Sequence, residues 1–181
     1  MDELLDSLDT GVVECLAGAR LLALDVDGVL TEGRVQYVGE TEQQSFCVQD
    51  GQGLVWLQRA GVTVTWITGR GCDATARRAA ELGVEELHAG VGPKARVLAE
   101  VQQRLQIPEA QTIAMGDDLP DLGLAARASV FVAPANARDE VRQRAQLVTR
   151  AHGGRGAVRE VVELILRARG GWQAIVDAAG S

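Results

Sequence analysis

Aromatic side chains are nearly missing from this sequence, at 3% of its 181 residues, so its core has to be aliphatic. Histidine is as scarce: there is only His88 and His152, and no Cys-x-x-Cys pair accompanies them, which removes the usual ligand sets for zinc. The cysteines Cys15, Cys47 and Cys72 are odd in number and scattered. That pattern suggests a reducing cytoplasm rather than a disulfide framework. No apolar run approaches the roughly 18 residues of a membrane-spanning helix, so no membrane association is expected. The acidic segment 1–20 lacks the basic start of a signal peptide. Lys and Arg number 18 against 25 Asp and Glu, a net charge of −7, which argues against nucleic acid as a partner. An acidic chain that binds phosphate needs local compensation, from a metal or from backbone N–H groups.

What is present centres on LLALDVDGVLT, Leu21 to Thr31. Four apolar residues without alternation read as a strand buried on both faces of a parallel sheet. Asp25, Asp27 and Gly28 follow at its end. In a continuing strand the two carboxylates, at i and i+2, would share a face. Placed together they are unfavourable unless a cation or a proton lies between them. A metal-assisted active site and an ordinary Asp-Gly turn are both open on this segment alone.

The alternation of elements continues down the chain. Val35–Val38 and Ser45–Val48 are short β-prone runs flanking Gly39-Glu40, a hairpin insertion at about 33–50. Helices are predicted over 53–60, 73–82 (with Asp73 as N-cap), 94–105, 119–127, 137–145 and 158–167. Strands are predicted over 62–67, 84–88, 112–115, 129–132 and 147–149. Strands separated by single helices imply an α/β fold, a doubly wound and mostly parallel sheet. The expected organisation is an N-terminal arm (1–20), one domain (21–170) and a C-terminal tail (171–181).

Several polar groups fall at predicted strand ends or helix starts: Asp25 and Asp27, Thr68-Gly69, Lys94, and Asp117-Asp118 with Asp121. Each has a plain reading, as a turn, a solvent-facing lysine or an acidic helix start. All of these would have to hold at once at the ends of strands in one sheet. Five Asp residues in one crevice cannot all ionise without cations, and hard oxygen ligands suit Mg²⁺ held by carboxylates together with a substrate phosphate. The DxD segment is not a calcium EF-hand, since Val29 and Gln36 occupy liganding positions. Gly90-Val91-Gly92-Pro93-Lys94 lacks the spacing of a P-loop.

In order, DVDGVLT, ITGR, Lys94 and GDDLPD resemble the four motifs of the haloacid dehalogenase-like phosphohydrolases. The DxDGVLTxG start, the hairpin insert, FCVQDGQGL, RAAELGV and GGRGAVRE resemble more narrowly the 3-deoxy-D-manno-octulosonate 8-phosphate phosphatases, a capless subfamily. The likeness runs from about Leu21 to Arg169. It implies the Rossmann-like haloacid dehalogenase fold without a large cap domain. It also implies a cytoplasmic, Mg²⁺-dependent phosphoric monoester hydrolase acting on a small phosphorylated sugar acid, in lipopolysaccharide biosynthesis.

Carried over by motif, Asp25 would be the nucleophile that forms an aspartyl-phosphate, and Asp27 the general acid and then base. Mg²⁺ would be held by the Asp25 carboxylate, the Asp27 backbone carbonyl and the Asp117 carboxylate, with Asp118 and Asp121 orienting this set. Thr68 and the Gly69 N–H would hold phosphoryl oxygens, and Lys94 would balance charge at the nucleophile. The resemblance further implies a homotetramer whose hairpins assemble centrally and whose active sites lie near subunit interfaces. Arg70, Arg78 and Arg155 are candidates for the substrate carboxylate, which a guanidinium matches bidentately; each could equally be a surface residue. Two other functions stay open: a phosphatase of a 9-phosphorylated nonulosonate, and a non-catalytic oligomerisation domain.

Overall fold

The protein is described here by a computed structural model covering residues 5–180; residues 1–4 of the expected arm and Ser181 of the expected tail lie outside it. Helix α1 (Thr10–Ala17) leads into strand β1 (Leu21–Leu24), followed by the hairpin β2 (Gln36–Val38) and β3 (Thr41–Gln43). Then come α2 (Val48–Arg59), β4 (Thr63–Thr68), α3 (Asp73–Glu81), β5 (Glu86–Ala89), α4 (Lys94–Leu105) and β6 (Thr112–Met115). A 3-10 turn (Leu119–Asp121) precedes α5 (Leu122–Ala125), β7 (Val130–Ala133), α6 (Asp139–Arg142), β8 (Leu147–Val148), α7 (Ala157–Ala168) and α8 (Trp172–Ala179).

β1 is wholly buried, as its unbroken apolar run requires, and its side chains divide by parity. Leu22 and Leu24 pack with Leu16 of α1, Leu54 and Leu57 of α2 and Val158, Val161, Val162 and Ile165 of α7. Leu21 and Ala23 pack on the opposite face with Leu98 and Val101 of α4, Leu124 of α5 and Val141 of α6. The core is aliphatic apart from Trp66 and Phe131, the two largest fully buried side chains. Two layers of helices thus enclose one sheet, the doubly wound arrangement expected.

The six strands are parallel and ordered β5-β4-β1-β6-β7-β8. From β1 the chain builds outward through β4 and β5, then returns to the other side of β1 and builds outward again from β6. The direction of winding reverses between β1 and β6, and such a switch point opens a crevice at the carboxyl ends of the strands. Asp25 follows one of those strands and Gly116-Asp117 the other.

The hairpin is present but shifted. Its turn is at Gly39-Glu40 as expected, yet its second strand is Thr41–Gln43, paired Val38 to Thr41, rather than Ser45–Val48. Phe46 leaves the β-prone run to stack on Trp66, ring centroids 6.2 Å apart, and Val48 starts α2. Aromatic burial against the core thereby overrides local β propensity. α3 is preceded by Cys72 in extended conformation, so Asp73 is its first helical residue and not its cap. Among the described residues, no helix is long and apolar enough to cross a membrane.

Candidate active site

β1 ends at Leu24, so Asp25 and Asp27 stand in the loop beyond it and do not share a strand face. The Asp25 N–H still donates to the Met115 carbonyl at 3.1 Å, which ties this loop to the end of β6. The Asp25 side chain turns inward, 6% exposed, to accept a hydrogen bond from Lys94 Nζ at 2.6 Å. Lys94, the first residue of α4, also donates to Asp121 Oδ1 at 2.5 Å. Asp121 is itself fixed by the segment it belongs to: its Oδ2 accepts from the N–H groups of Asp117 (2.9 Å) and Asp118 (3.2 Å), while Asp118 caps the 3-10 turn through Leu119 N–H. One oxygen of Asp121 shapes the loop and the other holds the lysine.

Asp27 takes a different direction. Its Oδ1 accepts from Gln44 Nε2 at 2.9 Å and its Oδ2 from Thr68 Oγ1 at 3.3 Å. Thr68, the last residue of β4, also accepts from the Arg70 N–H at 3.1 Å. Asp25, Asp27, Thr68, Gly69, Arg70, Lys94, Asp117, Asp118 and Asp121 all line one cleft of about 360 Å³. Gly28 follows at φ +94°, and a Cβ there would lie 2.1 Å from Asp117 Oδ2, so only glycine lets this loop approach Asp117.

Carboxylate oxygens of Asp25, Asp117 and Asp121 lie within 4.8 Å of one another. In the chain alone, burial and the neighbouring Asp121 push the Asp25 carboxyl up to about 8. Burial, with Asp121 and Asp118 nearby, pushes Asp117 up to about 7. For Lys94 burial acts to lower the pKa, but Asp25 and Asp121 outweigh it and the ammonium is held more firmly than usual. One lysine does not neutralise three carboxylates. The buried Asp117 Oδ1, moreover, has no hydrogen-bond partner, an arrangement expected where an oxygen is reserved for a cation. The all-oxygen donor set fits a divalent ion of the Mg²⁺ type.

Residues 89–161 match the haloacid dehalogenase-like hydrolase family. A 3-deoxy-D-manno-octulosonate 8-phosphate phosphatase of Yersinia pestis is 39% identical over 145 residues, 79% of this chain and 77% of that protein. The chain belongs to the haloacid dehalogenase-like phosphatases. It is therefore a phosphoric monoester hydrolase. Its fold is similar to the 3-deoxy-D-manno-octulosonate 8-phosphate phosphatase of Moraxella catarrhalis, solved with magnesium, phosphate and KDO. The TM-score is 0.90 with 36% identity, covering 92% of this chain and 97% of that one. The cobalt-bound deoxy-D-mannose-octulosonate 8-phosphate phosphatase of Haemophilus influenzae aligns with a TM-score of 0.84 and 34% identity, over 86% and 92% of the two chains.

For a phosphatase of this family, the three arginines singled out in the sequence are placed unequally. Arg70 reaches the cleft but is paired there with Glu42 at 2.9 Å. Arg78 does not line the cleft; its guanidinium lies against Gly51 of α2 and bonds Glu81 at 3.3 Å. Arg155 pairs with Glu32 at 3.1 Å and lines an adjoining pocket of about 330 Å³. The loop that carries it is pressed onto the Asp27-Gly28 loop, with Gly154 N–H donating to the Val29 carbonyl at 2.9 Å. Two residues bonded directly to site side chains, Glu42 (to Arg70) and Gln44 (to Asp27), and a third bonded to Gln44, Thr75, escaped the sequence reading. The first two belong to the hairpin region and the third to α3, and no local pattern marks any of them.

Proposed function

We propose that this phosphatase hydrolyses 3-deoxy-D-manno-octulosonate 8-phosphate in a Mg²⁺-dependent reaction through an aspartyl-phosphate on Asp25. The observation that carries this reading is the buried contact of Asp25 with Lys94 inside the Asp25, Asp117 and Asp121 cluster, at the switch point of the sheet. The named activity of the relatives supports the substrate.

Asp25 attacks phosphorus, with Lys94 Nζ steering its carboxylate. Asp27 gives its proton to the departing sugar oxygen and then takes one from the water that releases phosphate. Thr68 Oγ1 and the Gly69 N–H, both in the cleft lining, hold the phosphoryl oxygens. Mg²⁺ would be held by the Asp25 and Asp117 carboxylates and the Asp27 carbonyl, with Asp118 and Asp121 shaping that set. When bound, it would neutralise charge on the phosphoryl group. Arg70 and Arg155 serve the sugar-acid carboxylate; Arg78 supports α3 against α2.

The assembly is a cytoplasmic homotetramer joined through its hairpins. Exposed Val35, Tyr37 and Val38, on or beside a two-stranded sheet that pairs with no further strand among the described residues, support it, and three free cysteines fit a reducing compartment. Phosphate release from a panel of sugar phosphates, including a 9-phosphorylated nonulosonate, with Mg²⁺ and with EDTA, tests the proposal. Preference for the octulosonate, abolished by EDTA, is the expected result. Metal-dependent preference for the nonulosonate would replace the substrate and keep the chemistry. Absence of any turnover would return the chain to the class of non-catalytic oligomerisation domains.

A further inference from the structure

Asp27 sits on a half-buried loop past the end of its strand, so secondary structure does not fix its carboxyl group. Side chains from two other elements do. Gln44 follows β3, and its Nε2 donates to Asp27 Oδ1 at 2.9 Å. Thr75, 2% exposed on α3, donates from Oγ1 to Gln44 Oε1.

The direction of this chain follows from the chemistry of its ends. A carboxylate can only accept, so the amide NH₂ must face Asp27, which leaves the amide carbonyl to receive the threonine hydroxyl. An amide flip would set Gln44 Oε1 against Asp27 Oδ1, oxygen against oxygen, and would also break the Thr75 bond. Thr75 therefore selects the end of Gln44 that Asp27 meets. Gln44 is absent from the lining of the catalytic cleft; it backs Asp27 from the side of the adjoining pocket, among Thr31, Glu32 and Arg155.

We propose that Thr75 and Gln44 are positioning residues that orient Asp27 for its acid–base steps, a role that rests on the assignment of Asp27 as general acid. Gln44 Nε2 meets Oδ1 and Thr68 Oγ1 meets Oδ2, so the carboxyl plane of Asp27 is set from both sides. In the first step an Asp27 O–H bond breaks as an O–H bond forms on the departing sugar oxygen. In the second the attacking water returns a proton to the Asp27 carboxylate. The relay also makes the seating of the hairpin a condition for proton transfer, since Gln44 lies directly beyond its second strand.

Leaving-group chemistry supplies the test. A sugar alkoxide needs protonation as it departs, whereas an aryl oxide such as para-nitrophenolate does not. The ratio kcat/KM reports steps through departure of the leaving group. Gln44→Met keeps the length and loses the donor; Thr75→Val keeps the shape and loses the hydroxyl; Thr75→Ser keeps the hydroxyl. With Mg²⁺, Gln44→Met and Thr75→Val are expected to lower kcat/KM for octulosonate 8-phosphate about tenfold. The same ratio for para-nitrophenyl phosphate should hold, and Thr75→Ser should restore the first substrate. Equal losses on both substrates would mean a distorted cleft and overturn the relay, as would unchanged kinetics in Gln44→Met beside a slow Asp27→Asn. Unchanged sugar-phosphate kinetics in Asp27→Asn would instead overturn the acid assignment itself.

Discussion

Lys94 Nζ lies 2.6 Å from Asp25 Oδ1, joining the start of α4 to the end of β1 across 69 positions of sequence, and both side chains are less than a tenth exposed. The lysine is shared with Asp121, so among the described residues it serves as the one ammonium inside the carboxylate cluster. Lys94→Met is expected to destabilise the metal-free protein by about 3 kcal/mol, because one member of a buried charge set is removed. It should also lower kcat by about a hundredfold through loss of charge stabilisation at the reacting group. Urea unfolding in EDTA and steady-state kinetics in Mg²⁺ check the two effects separately. An unchanged unfolding free energy would mean that protons on the carboxylates already do the lysine's work.

The same cluster sets a pH dependence whose sign is fixed. Asp25, at about 8, and Asp117, at about 7, both lie above the ordinary aspartate value of 3.8. A carboxyl that holds its proton more tightly in the folded than in the unfolded chain stabilises the fold fully below about pH 4. That contribution declines as pH rises and is gone once pH has passed about 7 for Asp117 and about 8 for Asp25. Metal binding must expel those protons, so Mg²⁺ should bind more tightly as pH rises through the same window. Melting in EDTA and in Mg²⁺ from pH 5 to 9 is expected to give a metal-induced rise in Tm that grows with pH. A rise of the same size at every pH would contradict raised carboxyl pKa values.

Continuous apolar runs and helical spacing were readable directly. β6 and α4 begin and end where the pattern puts them, at Thr112–Met115 and Lys94–Leu105, because each packs an unbroken or regularly spaced apolar face into the core. The residues at the ends of β1, β4 and β6 could be read for the same reason: a strand that must be buried brings the residue after it to the crevice. Gln44 and Thr75 could not. Their value comes from a contact between residues 31 positions apart, and the hairpin that delivers Gln44 is placed by Phe46 stacking on Trp66. Asp121 accepts from the backbone N–H groups of Asp117 and Asp118 within its own segment; its direct hold on Lys94 emerges only when α4 packs beside the 3-10 turn.

The assigned roles of Asp25 and Asp27 separate under substitution. Asp25→Asn is expected to remove turnover, since an amide oxygen neither attacks phosphorus well nor carries the charge that Lys94 meets. Asp27→Asn should reduce kcat by about 10²–10⁴-fold and allow phosphate to accumulate on Asp25. Mass spectrometry of acid-quenched protein would detect that adduct. Substantial hydrolysis by Asp25→Asn would exclude it as the nucleophile.

Gly28 is where backbone geometry and metal affinity meet. Its φ of +94° disfavours any side chain, and a Cβ would overlap Asp117 at 2.1 Å. Gly28→Ala is therefore expected to destabilise the fold by about 1–3 kcal/mol and, by displacing Asp117, to weaken Mg²⁺ binding at least about tenfold. Thermal melts and Mg²⁺ titration of the same preparation distinguish the two: loss of stability with unaltered affinity would detach Asp117 from the metal.

The hairpin prediction concerns assembly and reaches the site as well. Val35 (46% exposed) and Val38 (54%) lie on or beside a two-stranded sheet that has no further partner within the described chain. Glu42 of the same hairpin grips Arg70, and Gln44 just beyond it holds Asp27. Introducing charge with Val35→Asp and Val38→Asp should leave the monomer fold intact, since both positions face away from the core. Carboxylates brought together around a central assembly would repel, so light scattering is expected to show the proposed tetramer replaced by smaller species. If hairpin packing between subunits also seats Glu42 and Gln44, kcat should fall together with the loss of assembly. A tetramer that survives both charges would move the interface to another face of the molecule.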